Sequence, residues 1–102
     1  SASMPPVGAL AIMRCDSRQL QQGLDFLASV AENYRPQQCR VIGPLPAAMA
    51  RRAGLFRSHL VIHGAQRSLV LQAARELAKR AMSSKRPQGL RWAMDVDPAE
   101  SA

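Results

Sequence analysis

The stretch FRSHLVIH, residues 56–63, alternates between two kinds of side chain and is the clearest strand signal in the chain. Successive side chains of a β-strand point to opposite faces of the sheet. One face would carry Phe56, Ser58, Leu60 and Ile62. The other face would carry Arg57, His59, Val61 and His63. The alternation predicts a half-buried strand with its first set towards the core.

Downstream of this strand, Gly64 interrupts the pattern and a helical repeat begins. Apolar residues then recur at helical spacing and predict an amphipathic helix over residues 66–82. Residues 83–89 contain Lys, Arg, Pro and Gly and predict a basic turn. Alternation returns at 90–97 with Leu90, Trp92 and Met94 on one side, which predicts a last strand that Pro98 ends.

Upstream, residues 9–15 are short and apolar and predict a first strand. Asp16 or Ser17 is the expected N-cap of a helix over residues 18–33, which Pro36 ends. Residues 39–42 form a further strand candidate. Residues 43–46 are expected to form a loop, because two prolines flank a single residue there.

The predicted order is β-α-β-β-α-β, and each helix is apolar on one side. Both helices then pack most simply on one face of a four-stranded sheet. We therefore predict an α+β fold, a split βαβ sandwich of the ferredoxin-like kind, whose other sheet face is open.

Charge is concentrated in the middle of the chain. The 102 residues carry 14 Lys+Arg and 7 Asp+Glu, for a net charge of +7. Residues 1–39 are balanced, residues 40–91 sum to +10, and the remaining residues sum to −3. A basic excess of this size favours an anionic partner, and nucleic acid is the first candidate.

The candidate DNA-binding residues are the bases that the pattern places on the open face or in connections. Arg57 and Arg91 fall on the open face by alternation, and Arg40 is expected to join them. Connections are where accessible charges usually lie. The loop candidates are Arg51, Arg52, Lys85 and Arg86.

Aromatic residues are not placed for base stacking. Phe56 and Trp92 have the parity of the core, and Phe26 and Tyr34 lie on or just after the first helix. We expect Trp92 to be structural, and we expect any DNA to bind through phosphate contacts with little sequence preference.

The length corresponds to one domain. We expect residues 1–3 to be a cloning remnant, residues 4–98 to form a single domain and residues 99–102 to be a tail. The longest apolar run, residues 7–13, is too short to span a bilayer, for which about 20 residues are needed. The expected location is the cytoplasm.

The sequence contains no motif of a known catalytic site. Cys15 and Cys39 are 24 residues apart, lack zinc-site spacing and are expected to be buried or half-buried free thiols. Asp95 and Asp97 could hold a divalent cation or, as we favour, pair with arginine or face water. We expect no catalytic activity in the isolated chain and no metal or other cofactor.

Three stretches together carry a family resemblance. They are MPP with ALAIMR at residues 4–14, GPLPAAMARRAGLFR at 43–57 and RWAMDVDP at 91–98. They resemble the C-terminal domain of primosomal protein N′ (PriA), the bacterial replication-restart DNA helicase. The resemblance covers nearly all of the chain and implies a fold similar to a small ribosomal-subunit protein.

The resemblance implies two roles. One is to help a helicase bind forked or single-stranded DNA; the other is to meet the acidic tail of single-stranded-DNA-binding protein, alongside other primosome proteins. In the family the tail is held partly by an Arg at the start of the second helix and a Gln one turn later. Arg67 fits the first position, while one turn later stands Leu71, with Gln72 one place off.

Two hypotheses therefore stand together. The chain is a DNA-binding accessory domain, or it is a docking module for the helicase lobes and the acidic tail. Part of the basic surface could instead pack on a parent protein or remain solvated.

Overall fold

The structure is a computed structural model that describes residues 8–52 and 54–96, with side chains outside 48–52. The elements alternate as β-α-β-β-α-β. In chain order they are β1 (Ala9–Ser17), α1 (Leu20–Val30), β2 (Cys39–Arg52), β3 (Leu55–Gly64), α2 (Arg67–Ser83) and β4 (Arg91–Val96).

The four strands form one sheet in the order β2-β3-β1-β4. Each neighbouring pair is antiparallel, with β1 and β3 in the centre and β2 and β4 at the edges. The predicted α+β class and split βαβ order are confirmed. The two helices cover one face, and the other face is open.

The core lies between the helices and the sheet and combines several alanines with larger apolar side chains. On β1, every odd residue from Ala9 to Ser17 is buried, and on β3 the buried residues include Leu60 and Ile62. The largest fully buried core side chains are Met13, Leu27, Leu60, Ile62, Leu77, Val30 and Val70. Alternation thus selects the core face as predicted.

The two helices are joined at the end of α1 by Arg80. Its Nη1 donates to the carbonyl oxygens of Val30, at 3.1 Å, and Glu32, at 2.9 Å. Its guanidinium also lies 4.7 Å from the ring centroid of Tyr34. These contacts satisfy carbonyl groups that a helix end leaves without an intrahelical partner.

The expected N-cap of α1 is wrong. The helix begins at Leu20, and Gln19 is its N-cap without a side-chain hydrogen bond. Asp16 and Ser17 are instead the last residues of β1, because both pair with β3. The Ser17 hydroxyl donates to the carbonyl oxygen of Gln19 at 2.7 Å.

The expected loop at residues 43–46 is also wrong. These residues belong to β2, which runs from Cys39 to Arg52. The pairing with β3 shifts register between Ile42 and Leu45 and again between Pro46 and Arg51. The Gly43–Pro44 bond is cis. Proline is accommodated here because β2 is an edge strand and its pairing is irregular.

Helix α1 ends at Val30, three residues before its predicted end, and the elements other than β2 otherwise agree with prediction to within a residue or two. Helix α2 begins at Arg67, and β4 begins at Arg91. Trp92 is half-buried and packs against the core together with Met94 and Val96. The predicted domain limits fall at residues that the structure does not describe, so they stay predictions.

Candidate nucleic-acid interface

The open face of the sheet is divided into an apolar half and a charged half. Strand register places Ile42, Val61 and Ile12 side by side across β2, β3 and β1. Towards the end where β1 finishes, Asp16 stands between Arg57 of β3 and Arg91 of β4. The charged half therefore occupies one end of the face.

A hollow of about 280 Å³ lies in this charged half. It is lined by Arg14, Asp16, Arg57, Arg91, Trp92 and Ala93. We call these residues the arginine cleft. Three guanidinium groups and one carboxylate thus surround a single depression.

Arg57 is held in place by Asp16. Its Nε donates to Oδ1 of Asp16 at 2.9 Å, and Nη2 donates to Oδ2 at 3.2 Å. The hydrogen bond from Arg57 lowers the pKa of Asp16, and the charges of Arg57, Arg91 and Arg14 lower it further, against the effect of burial. Asp16 is therefore ionised at neutral pH and orients the guanidinium.

Arg14 is paired with a second carboxylate. Its Nη2 lies 2.5 Å from Oδ2 of Asp95, and 39% of each side chain is exposed. The expectation that Asp95 pairs with arginine is confirmed, whereas Asp97 lies outside the described residues. Arg14 is on β1 and Asp95 is on the neighbouring strand β4. Asp95 pairs with Ile12, which is two residues before Arg14 on the same face of β1, so Arg14 and Asp95 are diagonal neighbours.

Arg91 is the exposed cation of the cleft. Within residues 8–52 and 54–96, the salt bridges of this face join Arg57 to Asp16 and Arg14 to Asp95, and neither includes Arg91. Its charge contributes to lowering the pKa of Asp16. Arg91 therefore supplies a positive charge that the described carboxylates do not pair.

His59 lies opposite Arg14 in the β1–β3 register. Burial lowers the pKa of His59, and the charges of Arg57 and Arg14 lower it further. An imidazole with a pKa below its usual value of 6.5 is neutral at pH 7. The positive charge of the cleft is thus carried by arginine.

The structure brings some of the candidate DNA-binding residues together. Arg57 and Arg91 both line the arginine cleft, as their alternation predicts. Arg40 also lies on a strand but pairs with His63, six residues along β3 from Arg57. That separation is about 20 Å at the rise of a β-strand, so Arg40 lies outside the cleft.

The loop candidates lie elsewhere. Lys85 lines a hollow with residues of α1, on the helix side of the sheet. Arg86 lines another hollow, together with Ala81, Met82 and Trp92. Arg51 and Arg52 pair with Phe56 and Leu55 through the backbone, and their side chains are outside the description.

Arg67, the candidate for the acidic tail, is the first residue of α2 and is exposed. It follows Gly64, which pairs with the first residues of β1 and β2. The side chain of the preceding Gln66 donates to that of Gln38 at 3.3 Å. Arg67 is therefore at the end of the sheet opposite the arginine cleft.

Arg14 lines the cleft but was not among the predicted DNA-binding residues. Arg14 belongs to residues 1–39, whose charges sum to zero, so the charge count by segment did not indicate a basic site there. The signal was present, because Arg14 lies between Met13 and Cys15 and alternates with the buried side chains of β1. Combining that parity with the central position of β1 would have placed Arg14 beside Arg57.

The described residues offer little support for other chemistry. No three of their His, Cys, Asp and Glu side chains are grouped so as to hold a metal ion. Burial raises the pKa of Cys15 to about 11, so its thiol is protonated at neutral pH. No helix in the described part of the chain is both long and apolar enough to cross a membrane.

Fold and cleft together define a small α+β domain of the split βαβ kind with a cationic depression on its open sheet face. Comparison with known families identifies it further. Residues 1–99 match the family described as Primosomal protein N C-terminal domain, and the chain belongs to that family.

Two curated relatives agree with this assignment. Replication restart protein PriA of Haemophilus influenzae is 27% identical over 103 residues, which covers 98% of this chain and 14% of the relative. Replication restart protein PriA of Synechocystis is 30% identical over 61 residues, covering 57% of this chain and 7% of the relative. The chain thus spans a small part of the length of these relatives.

Proposed function

We propose that the chain is a non-catalytic DNA-binding domain that serves replication restart in the cytoplasm and contacts branched DNA through the arginine cleft. The observation that carries the proposal is the convergence of Arg14, Arg57 and Arg91 around one hollow. Family membership and the names of the relatives support replication restart as the setting.

Arginine is suited to this contact because its planar group offers five N–H donors to phosphate oxygens. Arg57 uses two N–H groups on Asp16, which leaves the others for a ligand. The carboxylates of Asp16 and Asp95 hold two of the guanidinium groups in position, so less side-chain freedom is lost when phosphate binds.

The cleft favours phosphate contact over base recognition. The open-face positions of β1 and β3 carry aliphatic, charged and histidine side chains, without Phe, Tyr or Trp. Trp92 also lines the cleft, but it is half-buried and packs against the core. Binding through phosphates depends little on sequence and strongly on salt. We therefore propose a weak, non-specific contribution that adds to the affinity of a longer protein.

The test is a titration of the chain with dye-labelled forked, single-stranded and duplex DNA at low salt, read by fluorescence anisotropy. Arg91→Glu should weaken binding by about tenfold or more, because it reverses a charge that no described carboxylate pairs. Arg75→Glu is the matched control, since Arg75 is also exposed but lies on α2, on the other side of the sheet. Equal losses in both variants would refute the cleft as the DNA site.

A second candidate function is docking to an acidic protein tail at Arg67. The observation that favours it is the position of Arg67 at the N-terminus of α2, where backbone N–H groups and the helix dipole favour anions. The two sites lie at opposite ends of the sheet. Arg67→Ala should weaken binding of an acidic tail peptide to the intact helicase, whereas Arg57→Ala should weaken duplex DNA binding; equal effects on both ligands would refute two sites.

A further inference from the structure

The two edges of the sheet differ in how they are protected. Edge strand β2 contains Pro44 and Pro46 and two register shifts, features that discourage pairing with another strand. Edge strand β4 pairs with β1 from Arg91 to Val96 without a register shift and contains no proline. In the part of the chain that the structure describes, no strand pairs with its outer edge. Such an edge offers backbone N–H and C=O groups to a further strand.

The charged side chains of β4 are arranged symmetrically about one residue. On the open face, Arg91 and Asp95 lie two residues to either side of Ala93. An edge strand with charges of a single sign repels a second copy of itself, because like charges then meet across the pair. Strand β4 instead carries one charge of each sign, so its charges become complementary when it meets its own copy in the antiparallel direction.

We propose that the outer edge of β4 binds β4 of a second copy of this chain, antiparallel and with Ala93 opposite Ala93. The two four-stranded sheets would then join into one, related by a two-fold axis. The proposal goes beyond DNA binding and does not depend on it. It rests on two observations: a regular edge that has no strand partner among the described residues, and the symmetric placement of opposite charges on that edge.

The register of the two copies follows from these charges. Residues directly opposite each other in antiparallel strands share a face of the sheet and interact. With Ala93 at the two-fold axis, Arg91 lies opposite Asp95 of the second copy, and Asp95 lies opposite Arg91 of that copy. An axis at Trp92 or Met94 would place Ala93 opposite one of the charged residues and break both pairs.

Both members of the new ion pair are available for it. Arg91 is exposed, and neither of the described salt bridges of this face includes it. Asp95 contacts Arg14 through Oδ2, and a carboxylate has a second oxygen that also accepts hydrogen bonds. The dimer would therefore give Arg91 a carboxylate partner and place Asp95 between two guanidinium groups.

The helix side of β4 is compatible with the same register. Trp92 would lie opposite Met94 of the second copy, and both side chains are half-buried and pack against the core. An aromatic ring beside a thioether is a favourable cross-strand pair. The residues of β4 on this side are Trp92, Met94 and Val96, so β4 itself brings no charge to it.

The dimer is expected to be weak. Six residues give an edge of about 20 Å at the rise of a β-strand, which is short for an interface. The net charge of +7 on each copy also opposes association, although salt screens it. We therefore expect a dissociation constant of about 100 µM at physiological salt.

The first test is sedimentation velocity of the DNA-free chain at concentrations from about 10 µM to about 1 mM. The weight-average mass should rise with concentration from the monomer value of 11.1 kDa towards twice that value. A monomer over the whole range would overturn the proposal. Because no DNA is present, the result does not depend on whether the arginine cleft binds DNA.

Charge reversal tests the two ion pairs. Arg91→Glu would bring carboxylates together across the dimer and Asp95→Arg would bring guanidinium groups together, so each variant alone should associate at least about tenfold more weakly than the parent chain. An equal mixture of the two variants restores both ion pairs and should associate about as tightly as the parent chain. A mixture that remains monomeric would overturn the proposed pairing.

Arg75→Glu is the matched control for charge. It changes the net charge by the same amount as Arg91→Glu, but Arg75 is an exposed residue of α2. Association of Arg75→Glu should stay within about twofold of the parent chain. Equal losses in Arg75→Glu and Arg91→Glu would show that net charge controls association and would overturn the proposal.

A disulfide cross-link tests the position of the axis. Cα atoms of directly opposite residues in antiparallel strands lie about 4.5–5.5 Å apart, which is within the range of a disulfide. The background is Cys39→Ser, in which the remaining Cys15 is fully buried. With oxidised glutathione, Ala93→Cys should form a covalent dimer, whereas Arg75→Cys, at another exposed residue, should not. Equal cross-linking of both variants, or no cross-linking of Ala93→Cys, would overturn the proposal.

Discussion

The two faces of the sheet use neighbouring residues of β1 in opposite ways. Cys15 is fully buried under the helices, and burial raises the pKa of its thiol to about 11. Asp16, the next residue, lies on the open face, where a hydrogen bond from Arg57 lowers its pKa. Desolvation is the main cause of the pKa shift of Cys15 on the covered face, and pairing with Arg57 is the main cause of the pKa shift of Asp16 on the open face. We therefore expect the covered face to determine stability and the open face to determine binding.

The largest stability effect is expected at Trp92, which packs against the core from β4. Trp92→Ala should lower the free energy of unfolding by about 3 kcal/mol, measured by urea unfolding. Ala93→Ser changes the next residue, which is exposed on the open face, and should be nearly neutral. Unchanged stability in Trp92→Ala together with lost DNA binding would show that Trp92 acts through the arginine cleft, which it also lines, and not through the core.

A smaller effect is expected where α1 approaches the sheet at Gly23. A Cβ at this position would lie 2.7 Å from Oγ of Ser17 and 2.8 Å from Oγ of Ser58, and both serines are fully buried. Alanine is the better helix former, yet Gly23→Ala should destabilise the chain by about 1–2 kcal/mol through overpacking.

The control for this prediction is a second change that restores space. Adding Ser58→Ala to Gly23→Ala should recover part of the lost stability, since it removes one of the two close oxygens. Thermal unfolding of the single and double variants measures the recovery. A Gly23→Ala variant more stable than the parent would contradict close packing of α1 on the sheet.

The smallest stability effect belongs to the open face. The pKa of Asp16 is lowered in the folded chain, so its pairing with Arg57 stabilises the fold above the usual pKa of 3.8 and is lost as pH falls through the folded value. The pair should contribute about 1 kcal/mol at pH 7, because it is partly exposed.

Urea unfolding at pH 7 and at pH 2.5 measures this contribution. Arg57→Ala should be less stable than the parent chain at pH 7, and the difference should shrink in acid. Arg75→Ala, which removes an exposed arginine on α2, should track the parent chain at both pH values. The loss of stability in Arg57→Ala could instead be the same at both pH values. That result would mean that pairing with the Asp16 carboxylate does not account for the contribution of Arg57 to stability.

Sequence patterns predicted the faces of the sheet because alternation is a local property. Residues 56–63 and 90–96 showed which side chains face the core, and the helices followed from their spacing. The fold class followed from the order of these elements. Arg57 and Arg91 could be placed on the open face for the same reason.

Features that depend on contacts between distant residues were not predictable in this way. Strand β2 continues through Pro44 and Pro46 because it is an edge strand, which depends on strand order. Asp16 looked like a helix cap, but its partner Arg57 is 41 residues away. Arg14 joined the candidate site only once its strand was known to lie between β3 and β4.

The most direct test of the central claim is the salt dependence of duplex DNA binding. The parent chain is compared with Arg14→Ala, Arg57→Ala, Arg91→Ala and, as control, Arg75→Ala. Each lost phosphate contact should flatten the slope of log affinity against log salt by about 0.9. We predict a flatter slope for Arg91→Ala and an unchanged slope for Arg75→Ala. The same slope in the parent chain and all three cleft variants would contradict the arginine cleft as the DNA-binding site.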